Sequence, residues 1–230
     1  MASAYGPAFA EEFGNFYPLI TKYYGPERAN NERSMVVGTL GEIVVGLKGG
    51  ITPFTQQILG LLSKALQDTE AETRSNAAFA AGALIEWSDL DLSSQFGALM
   101  QVLHGYFAVT PETPKDQLNA KDNAVGCVAR MILKAPTALP LDQVLPIFFG
   151  GLPLKNDPIE NKPAFRAIFF LFETQSQLVL PHIDHLLSVF AYVLDPSRSH
   201  EISLDTKAKL DQLLQHLRQS IPEKVAQAGL

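Results

Sequence analysis

One helix is written into this chain three times. The copies are Arg33-Ser-Met-Val-Val-Gly-Thr-Leu-Gly-Glu-Ile, Arg74-Ser-Asn-Ala-Ala-Phe-Ala-Ala-Gly-Ala-Leu and Lys121-Asp-Asn-Ala-Val-Gly-Cys-Val-Ala-Arg-Met, with a weaker fourth opening at Lys162. Their first residues, 33, 74, 121 and 162, lie 41, 47 and 41 positions apart. A period of this size belongs to stacked helical hairpins, in which each unit buries its apolar face against the next. Such an array offers an extended binding surface rather than an enzyme cleft.

The 230 residues are 47% hydrophobic and 18% charged, enough to build a packed core. A repeat array is continuous, so the reading is one solenoid over residues 1–230. No apolar run reaches the roughly 18 to 20 residues that cross a bilayer, and no membrane insertion is expected. Met1-Ala2-Ser3 lacks the basic and apolar parts of a leader, and a fragment of a longer solenoid is expected. A single cysteine, Cys127, excludes an intramolecular disulfide and a Cys-rich zinc site. With 24 acidic against 18 basic residues the net charge is −6, which argues against direct nucleic-acid binding and weakly favours cationic ligands.

Stop and start signals divide the chain into ten helices, or five hairpins. The first runs from about Ala8 to Tyr24 and is closed by Gly25-Pro26; the second covers about Glu32 to Lys48 and stops at Gly49-Gly50. Pro53 opens the next outer helix, where a missing N–H costs nothing. Inner helix Glu72 to Trp87, outer helix Leu92 to Phe107 and a polar loop from Thr110 to Asn119 follow, the loop accounting for the longer step. Then come Lys121 to Lys134, Leu141 to Gly151, Lys162 to Gln175, Leu180 to Leu194 and Leu204 to Ile221. No segment alternates at strand spacing. The small residues Asn76 to Ala83 let inner helices approach closely. Glu27 and Asp68 each stand six residues before the arginine that opens the inner helix, Arg33 and Arg74, so a ladder of turn acids against those arginines is expected.

Two antiparallel helices, prolines in the outer one, an acid in the turn and a basic residue opening an Ala-rich inner helix resemble HEAT repeats. The fold expected is therefore all-α, a right-handed α-solenoid of about five repeats. The three copies above, with Leu152-Pro-Leu-Lys-Asn-Asp, look like the carboxy-terminal repeats of karyopherin-β nuclear import receptors, most of all the importin-four type. The resemblance spans about Tyr5 to Leu217. It implies a non-catalytic cargo receptor that shuttles between cytoplasm and nucleus and holds basic, lysine-rich localisation segments of histones or ribosomal proteins on its concave face. Nucleoporins and Ran-GTP would be partners of the full-length receptor. A passive HEAT scaffold in a multisubunit complex is the alternative, with folded, largely apolar partners.

Alignment on the opening basic residues puts Met35, Asn76, Asn123 and Ala164 in one register, with Asn76, Ala80, Ala83 and Trp87 on one stripe. An amide and an indole there suit an extended peptide, the ring packing on a lysine stem; in the bland reading Asn76 bridges repeats and Trp87 fills a gap. A lysine needs acceptors to replace its water, and Glu32, Glu42, Glu86, Asp122 and Glu160 stand at inner-helix starts and faces. The resemblance implies a lysine pocket made of Asn123 with Glu160 and Asn161, although Ile159 replaces a second acid and Arg130 and Lys134 share the Asn123 stripe. His182 and His185 have metal-ligand spacing without a third ligand, and Cys127 reads as a small buried residue. No phosphate loop, nucleophile elbow or zinc-helix motif occurs, so neither a cofactor, a metal nor a catalytic residue is expected.

Overall fold

The computed structural model describes residues 1–198 and 200–230. Among them are thirteen α-helices and no strand: α1 (Ala2–Tyr5), α2 (Ala10–Thr21), α3 (Asn30–Leu47), α4 (Thr55–Ala65), α5 (Ala71–Trp87), α6 (Phe96–His104), α7 (Lys115–Lys134), α8 (Leu141–Gly150), α9 (Asn161–Thr174), α10 (Ser176–Val179), α11 (Ile183–Leu194), α12 (Leu204–Ser220) and α13 (Pro222–Gln227). Ten of these have nine residues or more, and they alternate between two layers of an all-α solenoid of HEAT-type hairpins. The inner layer is α3, α5, α7, α9 and α12; α5 packs between α3 and α7, and α7 between α5 and α9. One hydrophobic cluster runs the length of the stack, from Phe13 through Leu40, Leu84, Val128 and Phe165 to Val225.

The inner helices stack tightly because their shared faces are small. Ala77 and Ala78 of α5 are fully buried and Ala81 nearly so. At Gly82 an added Cβ would stand 3.0 Å from the Cα of Cys127, so α5 and α7 almost touch backbone to backbone. Larger side chains enter from the outer layer, where Ile58, Leu62, Phe96, Leu103, Phe148 and Phe190 are all inaccessible to solvent. Burying each such side chain contributes about 1.5–3 kcal/mol relative to leaving it exposed.

Three expectations need correction. The segment from Lys115 to Asn119 is helical, extending α7 at its start, because Pro114 occupies the N-cap and cannot interrupt a ladder that begins after it. Residues 30–65 and 176–194 do contain 18-residue windows of span-like mean hydropathy, 1.4 and 1.3. Both are interrupted where the α-helix gives way to a 3-10 segment, at Lys48–Phe54 and Leu180–His182, and Val37, Leu40, Val44 and Leu47 are buried in the stack. Finally, the ladder is displaced by one repeat. Asp68 meets Arg33 of the preceding repeat, with Nε–Oδ2 2.8 Å and Nη2–Oδ1 2.7 Å. Arg74 instead donates Nη1 to the Asp68 and Thr69 carbonyls, and Glu27 pairs with its neighbour Arg28 at 3.6 Å.

The Arg33 fork beside Asp68 holds its carboxyl below the ordinary carboxylate range, against the opposing effect of burial. A depressed folded-state pKa gives stability that is present above the unfolded value of about 3.9 and is lost as pH falls toward the folded one. The stability gap between the parent and Asp68→Asn is therefore expected to be largest near neutrality and to shrink below about pH 4. Urea midpoints at pH 7 and pH 3 measure it; a gap independent of pH would contradict the assignment.

Candidate binding face of the inner helices

The face of the inner layer turned away from the outer helices forms a long strip along the stack. On α5, Glu72, Asn76, Phe79 and Glu86 follow helical spacing and stay at least partly exposed. Ala80 and Ala83, expected on that stripe, are buried instead, the Ala80 Cβ only 3.3 Å from a Cβ built on Gly41 of α3. Trp87 is half-buried at the end of α5. The Nζ of Lys48 lies 5.6 Å from its ring centroid, so the indole already covers a lysine of its own chain.

Asn76 bridges two repeats, donating Nδ2 to the carbonyl oxygen and Oγ of Ser34, both at 3.1 Å. Its Oδ1 remains an acceptor on the open strip. Asn123 makes the equivalent link one repeat on, donating Nδ2 to Ser75 Oγ at 3.0 Å and to Asp157 Oδ2 at 3.2 Å. Glu42 is exposed on α3. Glu32 is partly exposed and closes the start of α3, its Oε2 accepting from the Ala29 N–H at 3.0 Å.

The remaining expected acceptors do not face the open strip. Asp122 is fully buried and its Oδ2 accepts three backbone N–H groups, from Lys155, Asn156 and Asp157, at 2.7–3.0 Å. Lys121 stands 2.7 Å from its other oxygen and donates to the Gly151 carbonyl, so the pair ties α7 to the turn before α9. Asn161 is 1% exposed and donates to the Glu201 carbonyl at 3.1 Å. Glu160 is fully buried, forked onto Arg130 through Nη1–Oε2 and through Nη2–Oε1 at 3.2 Å. The pocket of Asn123, Glu160 and Asn161 is thus corrected to a set of repeat-to-repeat ties. A carboxylate without solvent on an inner helix takes the nearest intramolecular cation, because an unpaired buried charge is too costly.

Arg130 organises the middle of the face. Besides Glu160, at the N-cap of α9, it holds Glu86 on α5, Nε–Oε2 3.0 Å, and its guanidinium lies 5.9 Å from the Phe79 ring centroid. Burial, which favours a neutral guanidine, is outweighed by Glu160 and Glu86, so its pKa is raised and it stays charged. Burial pushes the Glu160 carboxyl up, opposed by Arg130. Glu86 is lowered overall: its burial is outweighed by Arg166, 2.8 Å away on α9, and by Arg130. Arg166 carries no motif in the sequence; Gly126, one turn before Arg130 on α7, leaves the gap in which the Glu160 carboxylate from the next repeat fits. Elsewhere Cys127 is fully buried, which pushes its thiol up to about 12 and leaves it inert. His185 meets the Phe149 carbonyl and His182 packs on the Phe149 ring. No group of three or more metal-ligating side chains occurs among the described residues.

No protein-family profile matches the chain. It is 43% identical over 197 residues to the probable importin subunit beta-4 of Schizosaccharomyces pombe, covering 86% of this chain and 18% of that protein. This chain is a homologue of part of the importin-4 type of karyopherin-β protein. Importin-4 of Homo sapiens is 32% identical over 216 residues, and importin-4 of Mus musculus 31%, each match covering 94% of this chain. The chain spans about a fifth of the length of these importin-4 relatives, 18–19%.

Proposed function

We propose that this chain is a carboxy-terminal segment of a nuclear import receptor, a non-enzymatic carrier that shuttles between cytoplasm and nucleus, and that its inner face holds basic cargo segments. The homology to importin-4 proteins carries the reading. Histone tails and ribosomal proteins are the cargo class, with lysine-rich localisation segments as the recognised element; Ran-GTP and nucleoporins act on the full-length receptor. The physics of the face supports a cationic, extended ligand. Glu42 and Glu72 supply exposed carboxylates along the strip, Glu86 a partly exposed one that Arg130 and Arg166 already hold, and Asn76 an amide acceptor between them. Because these acids keep contact with water, a lysine docking on them loses little hydration and gains modestly from each. Affinity then accumulates over several weak contacts and falls with added salt.

Glu42→Lys combined with Glu72→Lys is expected to weaken binding of a lysine-rich histone-tail peptide by about tenfold or more while leaving helical content unchanged, since each change turns an attraction into a repulsion at an exposed position. Fluorescence anisotropy at two salt concentrations, against a scrambled peptide of equal charge, measures it. Binding no tighter than that of the scrambled peptide would overturn sequence-specific cargo recognition by this face.

A further inference from the structure

In a stacked array each repeat touches only its neighbours. The Glu86–Arg166 pair breaks that rule. Glu86 stands on α5 and Arg166 on α9, 80 residues later, with α7 lying between them, and their side chains meet over the open face at 2.8 Å. The two oxygens of Glu86 are held very differently. Oε2 takes Nε of Arg130, whose side chain is 8% exposed and anchored by the buried Glu160. Oε1 takes a single Nη1 of Arg166, whose side chain is 48% exposed. One contact belongs to the interior, and the other is a surface ion pair that solvent and other cations can reach.

We infer that Glu86 is a cation-binding site on the inner face which Arg166 fills from within the same chain, and that a basic ligand segment occupies it by displacing Arg166. The inference rests on the proposed basic-ligand reading and adds a competitor to it. Arg130 keeps Oε2 neutralised throughout, so the site offers one oxygen and one contact. A lysine ammonium, a point charge, satisfies it as well as a guanidinium, whose fork needs two acceptors. Displacement costs little because exposed ion pairs are weakly held, and the freed Arg166 regains its water. Arg130 cannot be displaced in the same way, since its removal would strand Glu160 without a partner in the interior.

The test is a cycle on the intact chain, read by anisotropy of a labelled peptide of alternating lysine and alanine. Arg166→Gln is expected to tighten binding about two- to fivefold, the strength of an exposed pair. Lys162→Gln, an exposed cation one turn earlier on α9, removes the same charge without touching Glu86 and is expected to gain less. In a Glu86→Gln background, Arg166→Gln is expected to gain no more than Lys162→Gln does. Equal gains from Arg166→Gln and Lys162→Gln in the parent, or a gain that survives Glu86→Gln, would overturn the displacement while leaving the basic-ligand reading intact. A parent chain that fails to bind the peptide at any salt concentration would overturn both.

Discussion

Gly126→Ala is expected to destabilise the chain by about 3 kcal/mol or more, although alanine is the better helix former by about 1 kcal/mol. Gly126 sits in the middle of α7, and a Cβ built on it falls inside the van der Waals radius of Glu160 Oε2. The Arg130 Nη1 also lies 3.0 Å from that Cβ, so neither partner of the ion pair can simply turn aside. Accepting the methyl requires the Glu160 carboxylate to leave Arg130, and breaking a buried pair costs about 3–5 kcal/mol. Thermal or urea unfolding measures the change. A midpoint at or above that of the parent would show that Glu160 does not lie over Gly126.

Glu160→Leu alone should cost a similar amount, about 3–5 kcal/mol, because it leaves the 8%-exposed Arg130 with only the peripheral Glu86. Adding Arg130→Met to Glu160→Leu should recover much of the loss. Apolar residues of similar volume often replace a buried ion pair at little cost, since desolvating both charges offsets most of their attraction. The double-mutant cycle separates the two effects. Additive losses would mean that the two residues do not form one unit, and the ties between α5, α7 and α9 would need another explanation.

The architecture was legible because its signals are local. Gly25-Pro26 and Gly49-Gly50 lie within a few residues of the ends of α2 and α3, Pro53 lies two residues before α4, and the small residues Ala77 to Ala83 announce close packing wherever the neighbour lies. Pro111 and Pro114 misled the reading of the loop before α7, because a proline marks a helix start as readily as a break. The binding residues were less legible. Asn76, Glu42 and Trp87 reach the inner face or its end, whereas Asp122, Glu160 and Asn161 turn inward. Both groups look alike in sequence, as polar residues at the starts and faces of inner helices. What the sequence leaves open is the partner that another repeat supplies: Glu160 finds Arg130 30 positions away and is buried with it, and Glu86 finds Arg166 80 positions away. A periodic pattern identifies the equivalent positions of successive repeats without saying which pair across the stack. The displaced ladder, in which Asp68 serves Arg33 rather than Arg74, has the same cause.

On the proposed function, the open strip of the inner layer, and not the outer helices, receives a basic extended segment. Photo-crosslinking tests it most directly, using a lysine-rich peptide that carries one photoreactive phenylalanine analogue and reading the attachment sites by mass spectrometry. Adducts are expected on the strip of Asn76, Phe79, Glu86 and Arg166, removed by excess unlabelled peptide and weakened by salt. Adducts concentrated on the outer helices Thr55–Ala65, Phe96–His104 and Leu141–Gly150 and competed away by the same peptide would contradict it.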